Sequence, residues 1–293
     1  MPSARRDQAE GLRRLLARHR LRIVGISAAA SSGTGRKTAA VLNLAAALAE
    51  LGRDVLVLDE NPEPRGITAA LGLKAHFDLE DAIRRRRDLD EVILRGPGRI
   101  RILPFGRGAR SLARLPAEEQ HWLVERCARL SFPVDTLLID GAERDRLWSG
   151  PASQELVVLP GASAGEITAA YALIKRMNAD YAKREFQIVI THVAGEREAR
   201  LIFGNLARVA QRYLKVALEL VGHVPRDDKS EHALRLQLPV VNAFPAAASA
   251  KRWRLIAQSL AGSPLAEEEA LGLDDFMRRV IDRGRLRAAE ASI

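Results

Sequence analysis

Cysteine is nearly absent. The single Cys127 in 293 residues excludes an internal disulfide. It falls in a helical pattern with Trp122, Leu123 and Leu130, which reads as a small buried hydrophobe. No uninterrupted apolar stretch is long enough to cross a bilayer. The first residues carry Arg5, Arg6, Asp7 and Glu10 where an export signal needs an apolar run, so the expected compartment is the cytoplasm. His19, His76, His121, His192, His223 and His232 show no metal-ligand spacing. No Gly-x-Ser-x-Gly elbow occurs, and Cys127 has no neighbour in sequence to activate it as a nucleophile. There is no internal repeat and no low-complexity linker.

What is present is an ordinary globular composition, 47% hydrophobic and 28% charged, in a chain able to bury one α/β core. The net charge of +9 favours anionic partners (nucleotides, anionic lipid or DNA) without choosing among them, and it equally fits an arginine-rich soluble surface. Arg84 to Arg87 form a charge run that reads as a solvated face rather than a DNA patch.

The chain is organised around IVGISAAASSGTGRKTAAVLNL, residues 23–44. An apolar strand, a small-residue loop, then Lys37-Thr38 opening an alanine-rich helix is the layout of a phosphate-binding loop. In such loops backbone N–H groups and a helix N-terminus face the phosphates, a Lys meets the outer ones and a Thr holds magnesium. The register departs from G-x-x-x-x-G-K-[ST]: the two glycine positions fall on Ser31 and Arg36, while Gly33 and Gly35 stand out of step. A glycine turn joining strand to helix is the alternative reading.

Further on, strands are expected at 54–58, 99–104, 134–139, 155–159, 186–190 and 216–221, with a further short strand within 234–241. Helices are expected at 78–87, 116–130, 163–178, 196–214 and 246–260. Alternation of this kind predicts a doubly wound, mostly parallel sheet with helices on both faces. Asp59 and Asp140 end two apolar strands on the side where ligands of open α/β sheets collect, and Asp140 is placed to hold Mg2+. Two terminal segments flank this domain of 21–262. Residues 4–19 form an amphipathic helix striped by Leu12, Leu15 and Leu16, either a cover on the domain or a peptide for a partner groove. After a polar hinge from 263, Leu273, Phe276, Met277, Val280 and Ile281 recur at helical spacing, for an anionic membrane surface or for packing on the domain.

The whole resembles the MinD/ParA branch of the SIMIBI P-loop proteins, and most closely the flagellar-number regulators called FlhG, FleN or YlxH. Asp7-Gln8-Ala9-x-Gly11-Leu12-Arg13 resembles the DQAxGLR-type motif of those regulators. The order of loop, Asp59 strand and Asp140 strand is similar. ELVVLPGASAGEITAAYALIKRM resembles their P-x-x-x-x-ITDAYALIK segment, and GHVPRDD with LPVVNAFP their closing part. The resemblance implies ATP with Mg2+ at Gly33, Thr34, Gly35, Arg36, Lys37 and Thr38, with the metal at Thr38 and Asp140. It also implies a face-to-face homodimer and slow hydrolysis assisted by Asp59. Implied partners are an FlhF-like GTPase, met through Asp7, Gln8, Leu12, Arg13 and Leu15, flagellar switch proteins, a flagellar transcription activator and the inner-membrane surface.

Three departures bear on the chemistry. No Lys lies between Ser27 and Arg36, where the family loop KGGVGKT carries its signature lysine. The second switch Asp falls on Asn61, which cannot take a proton as a carboxylate can. The adenine-recognising Asn falls at Thr191 or His192. The expectation is a flagellar regulator with weak or absent hydrolysis; an active dimerising switch ATPase at the membrane and a ParA-like DNA-binding partition protein are the alternatives.

Overall fold

The computed structural model describes residues 21–28, 34–61, 66–106, 112, 115–141, 154–264 and 272–290. The expected helix at 4–19, with Asp7, Gln8, Leu12, Arg13 and Leu15, lies outside the described residues, as does Gly33.

Eight strands form one sheet: β1 Arg22–Ala28, β2 Val55–Asp59, β3 Leu94–Arg95, β4 Arg101–Pro104, β5 Thr136–Asp140, β6 Gln154–Leu159, β7 Glu185–Val193 and β8 Ala217–Pro225. Their order is β3-β4-β2-β5-β1-β6-β7-β8. Only β3, against β4, is antiparallel; every other pair is parallel. The helices are α1 Thr34–Glu50, α2 Ile67–Ala70, α3 Leu79–Ile83, α4 Leu89–Val92, α5 Ala117–Ala128, α6 Ala164–Tyr181, α7 Glu196–Leu214, α8 Asp228–Arg235, α9 Val240–Ala243, α10 Ala248–Gly262 and α11 Leu273–Glu290.

The central strands are buried along their whole length, which is why they read as continuous apolar runs. Successive side chains feed opposite cores. Val24, Val57 and Leu138 pack with α1 and α10. Ile23, Leu56, Leu58, Leu137 and Ile139 pack with α3, α5 and α11. A third cluster joins β6 and β7 to α6 and α7.

Two expectations are corrected, and an alternative left open is decided. The run 234–241 is not a strand. Asp227 caps α8 through the Lys229 amide, and Pro239 starts α9. Leu234, Leu236 and Leu238 alternate at period two, yet they are 38%, 50% and 38% exposed, so their alternation marks no buried sheet face. The apolar residues that matter there are Val240 and Val241, buried against α1, with Val241 N donating to Asn43 Oδ1 at 3.3 Å. The expected helix 78–87 is shortened to α3: Asp78 opens a capping box, Arg85 turns left-handed (φ 54°) just past its end, and Asp88 opens a second capping box for α4 beyond the expected span. The stripe of Leu273, Phe276, Met277, Val280 and Ile281 on α11 is buried in the α5 core rather than offered to a membrane.

Candidate functional site

Parallel pairing of β2 with β5 sets Asp59 directly beside Asp140 at the carboxyl ends of the strands. Lys37 and Thr38 enter the same space from the first turn of α1, and both are buried. Lys37 Nζ stands 2.7 Å from Asp140 Oδ1, donates to Gly141 O, and reaches Asn61 Oδ1 at 3.4 Å. Asn61 Nδ2 donates to Asp59 Oδ1 at 3.2 Å and to Asp140 O at 3.1 Å. Asp59 also accepts from Asn61 N at 3.1 Å, Ile67 N at 2.7 Å and Thr68 N at 3.4 Å. Gly66 permits that last approach, since a Cβ there would lie 2.3 Å from Asp59 Oδ2.

Two buried carboxylates thus lie side by side, and the one buried ammonium pairs with Asp140. Burial, then the charge of Asp140, raises the Asp59 pKa from 3.8 to about 6, with the Asn61 and Thr68 hydrogen bonds opposing. Burial raises that of Asp140 as well, partly offset by Lys37. Asp140 Oδ2 is buried with no hydrogen-bond partner among the described residues. A buried carboxylate oxygen of this kind, beside a helix-start Thr and a Lys, fits a hydrated divalent cation with phosphate. Thr38 and Asp140 would hold the metal and Lys37 the phosphate, the metal supplying charge neutralisation.

The structure does not bring all expected residues to this cluster. Arg36 turns away, donating to Pro160 O at 3.1 Å and pairing with Glu166 at 3.3 Å, so it adds no cation beside Asp59 and Asp140. Gly35 is exposed and its position is open. Of Thr34 only the backbone, at the start of α1, is described. Asn61 holds no base: both its side-chain atoms are committed to the internal network. Thr191 Oγ1 donates to Leu159 O at 3.4 Å, and His192, in left-handed backbone (φ 59°), offers its carbonyl to Arg226 at 3.1 Å. Burial and then Arg36 lower the His192 pKa. Sequence reasoning missed Gly66, the Gly141 carbonyl and Glu155, which accepts from Ser27 Oγ at 2.5 Å inside the core beside β1. The apolar-strand signal around Glu155 was legible, but its pairing arises only once β1 and β6 are neighbours.

Comparison with known proteins agrees with this layout. Residues 26–240 match the model of the CobQ/CobB/MinD/ParA nucleotide binding domain. The antiactivator FleN of Pseudomonas aeruginosa is 32% identical over 266 residues, 90% of this chain and 94% of that protein. In fold, the MinD cell division protein of Aquifex aeolicus superposes with a TM-score of 0.62 at 20% identity, over 84% of this chain and 98% of that one. The septum site-determining protein MinD of Pyrococcus horikoshii, solved with Mg-ADP, gives 0.59 at 18% identity, over 83% and 98%. Strand order, the Lys37–Asp140 pairing and the extent of these matches lead to one conclusion: the chain belongs to the CobQ/CobB/MinD/ParA nucleotide-binding family.

Proposed function

We propose that the chain is a MinD-like regulator of flagellar number, placement or assembly, acting through partner proteins with weak or absent ATP hydrolysis. The likeness to the antiactivator FleN over nine-tenths of the chain carries the regulatory half. The committed Asn61 carboxamide carries the other: a residue that donates to Asp59 and Asp140 and accepts from Lys37 is a structural clamp, with no proton-accepting group to activate water. The sequence resemblance assigns partner contact to Asp7, Gln8, Leu12, Arg13 and Leu15, and an FlhF-like GTPase as that partner. Flagellar switch proteins, a flagellar transcription activator, a second copy of this chain and the cytoplasmic face of the inner membrane are further partners in this reading.

A second reading, an ATP-driven switch, is supported by Asp140 Oδ2, a buried carboxylate oxygen with no hydrogen-bond partner among the described residues. One experiment separates them: titration of the purified full chain with MgATP by calorimetry, together with phosphate release and binding to the FlhF-like GTPase. The proposal expects GTPase binding that weakens when Leu12 and Leu15 are replaced by Ala, and phosphate release near background. Any MgATP heat should disappear in Lys37→Ala. Turnover comparable to active MinD-type enzymes would establish the switch ATPase instead, and GTPase binding unaffected by the leucine changes would sink the partner assignment.

A further inference from the structure

A basic cavity of about 420 Å³ lies at the opposite end of the sheet from Lys37 and Asp140. Asp54, Arg95, Gly98, Arg99, Arg101 and Pro133 line it. Asp54 precedes β2 and Arg101 begins β4, whereas Asp59 ends β2; Asp54 and Asp59 are therefore five residue steps apart along the strand, ~16 Å at the usual rise. Arg95 and Arg101 are directly opposed across the antiparallel β3–β4 pair, so their side chains leave the same face of the sheet. Like charges placed directly across a pair destabilise it. Nothing among the described residues compensates them: Arg95 makes no hydrogen bond or ion pair, and Arg101 only stacks over Phe132 at 3.8 Å. The one lining carboxylate, Asp54, is taken by Arg99 at 3.0 Å.

The contrast with the arginine run is instructive. Arg84 to Arg87 each pair with a carboxylate, on Glu80, Glu118, Asp81 and Glu91 respectively. At the β3–β4 cavity, by contrast, Arg95 and Arg101 keep their charge uncancelled among the described residues while a ring holds one guanidinium in place. Gly98, in left-handed backbone (φ 65°), turns the hairpin so that Arg99 joins the other two.

We infer that this cavity binds a phosphate group, free or as a lipid headgroup, between Arg95 and Arg101. Guanidinium pairs recognise phosphate through charge-assisted, forked hydrogen bonds, and a bound anion offsets the cross-strand repulsion. The site is separate from the nucleotide pocket and would persist where that pocket is disabled.

The test uses the folded full chain and four proteins: wild type, Lys37→Ala, Arg95→Glu and Arg86→Glu. Inorganic pyrophosphate is titrated by calorimetry, and flotation is measured on phosphatidylcholine vesicles with and without phosphatidylglycerol. Arg95 is exposed and its side chain makes no hydrogen bond or ion pair among the described residues, so its reversal spares the fold. The expected result is binding retained in Lys37→Ala and Arg86→Glu and weakened by roughly tenfold or more in Arg95→Glu, the loss of one charge-assisted contact plus an added repulsion. Such a loss in the pyrophosphate arm identifies free phosphate, and in the vesicle arm alone a headgroup. Equal weakening by Arg86→Glu would reduce the effect to diffuse surface charge and overturn the site, as would equal binding by wild type and Arg95→Glu, or no binding in either arm.

Discussion

Lys37 is the residue on which the candidate site closes. Its side chain is buried and faces Asp140, whereas the local sequence alone points it at a phosphate. The pairing with Asp140 cannot be read from Lys37-Thr38, because Asp140 lies about a hundred residues away and arrives only through strand pairing. The same pairing brings Asp59 against Asp140 and leaves two carboxylates with one ammonium. The consequence is a pH dependence of definite sign. The Asp59 pKa is higher folded, about 6, than its ordinary 3.8. Its contribution is therefore fully favourable below about pH 4 and is lost as pH rises through about 6, because the native state then ionises a group the unfolded chain ionises more easily. A rise of this size corresponds to about 3 kcal/mol. The difference in urea-unfolding free energy between wild type and Asp59→Asn, followed across that window, should fall against the wild type with rising pH. A difference that stays flat would show that Asp59 titrates normally.

At the level of elements, parallel strands were the most legible feature. VDTLLID reads as a buried strand because helices cover both its faces and both must be apolar. The 196–214 helix was legible to the residue, as α7 spans Glu196–Leu214. The run 234–241 is no strand although Leu234, Leu236 and Leu238 alternate, because period two marks a strand only when one side is buried, and here the sheet has already ended at β8. For the last helix the sequence left a membrane surface and a protein core equally open, since both reward the same apolar stripe. Packing decides it: Phe276 is 1% and Met277 0% exposed. Replacing Phe276 by Ala should therefore cost about 3–5 kcal/mol of global stability, read as a lower urea midpoint with an unchanged slope. An unchanged midpoint would mean that α11 is not docked in solution.

Across the whole molecule the +9 charge invites a DNA reading, and the arginine run is its most visible source. The fold answers by pairing all four of those arginines with acidic side chains of its own, and by stacking Arg87 over Phe77 and Arg85 over Trp122. Nonspecific duplex binding draws on free cations that displace condensed counterions. The expected outcome is little or no gel shift of random duplex at low salt; a strong, salt-sensitive shift would restore the partition-protein reading. The β3–β4 cavity, where Arg95 and Arg101 are uncompensated among the described residues, is at about 420 Å³ too small for a duplex.

By itself the sequence determined the class of fold, the succession of most strands and helices, and the residue types at the cradle. Those depend on local periodicity, chain punctuation and strand-end position, all short-range properties. Tertiary structure alone decided which charges meet: Lys37 with Asp140, Arg36 with Glu166 instead of the cradle, Arg95 opposite Arg101, and α11 against α5. Each of these contacts joins segments far apart in the chain or across a hairpin. Its energy depends on burial and on the neighbouring charge, and neither exists until the sheet has closed.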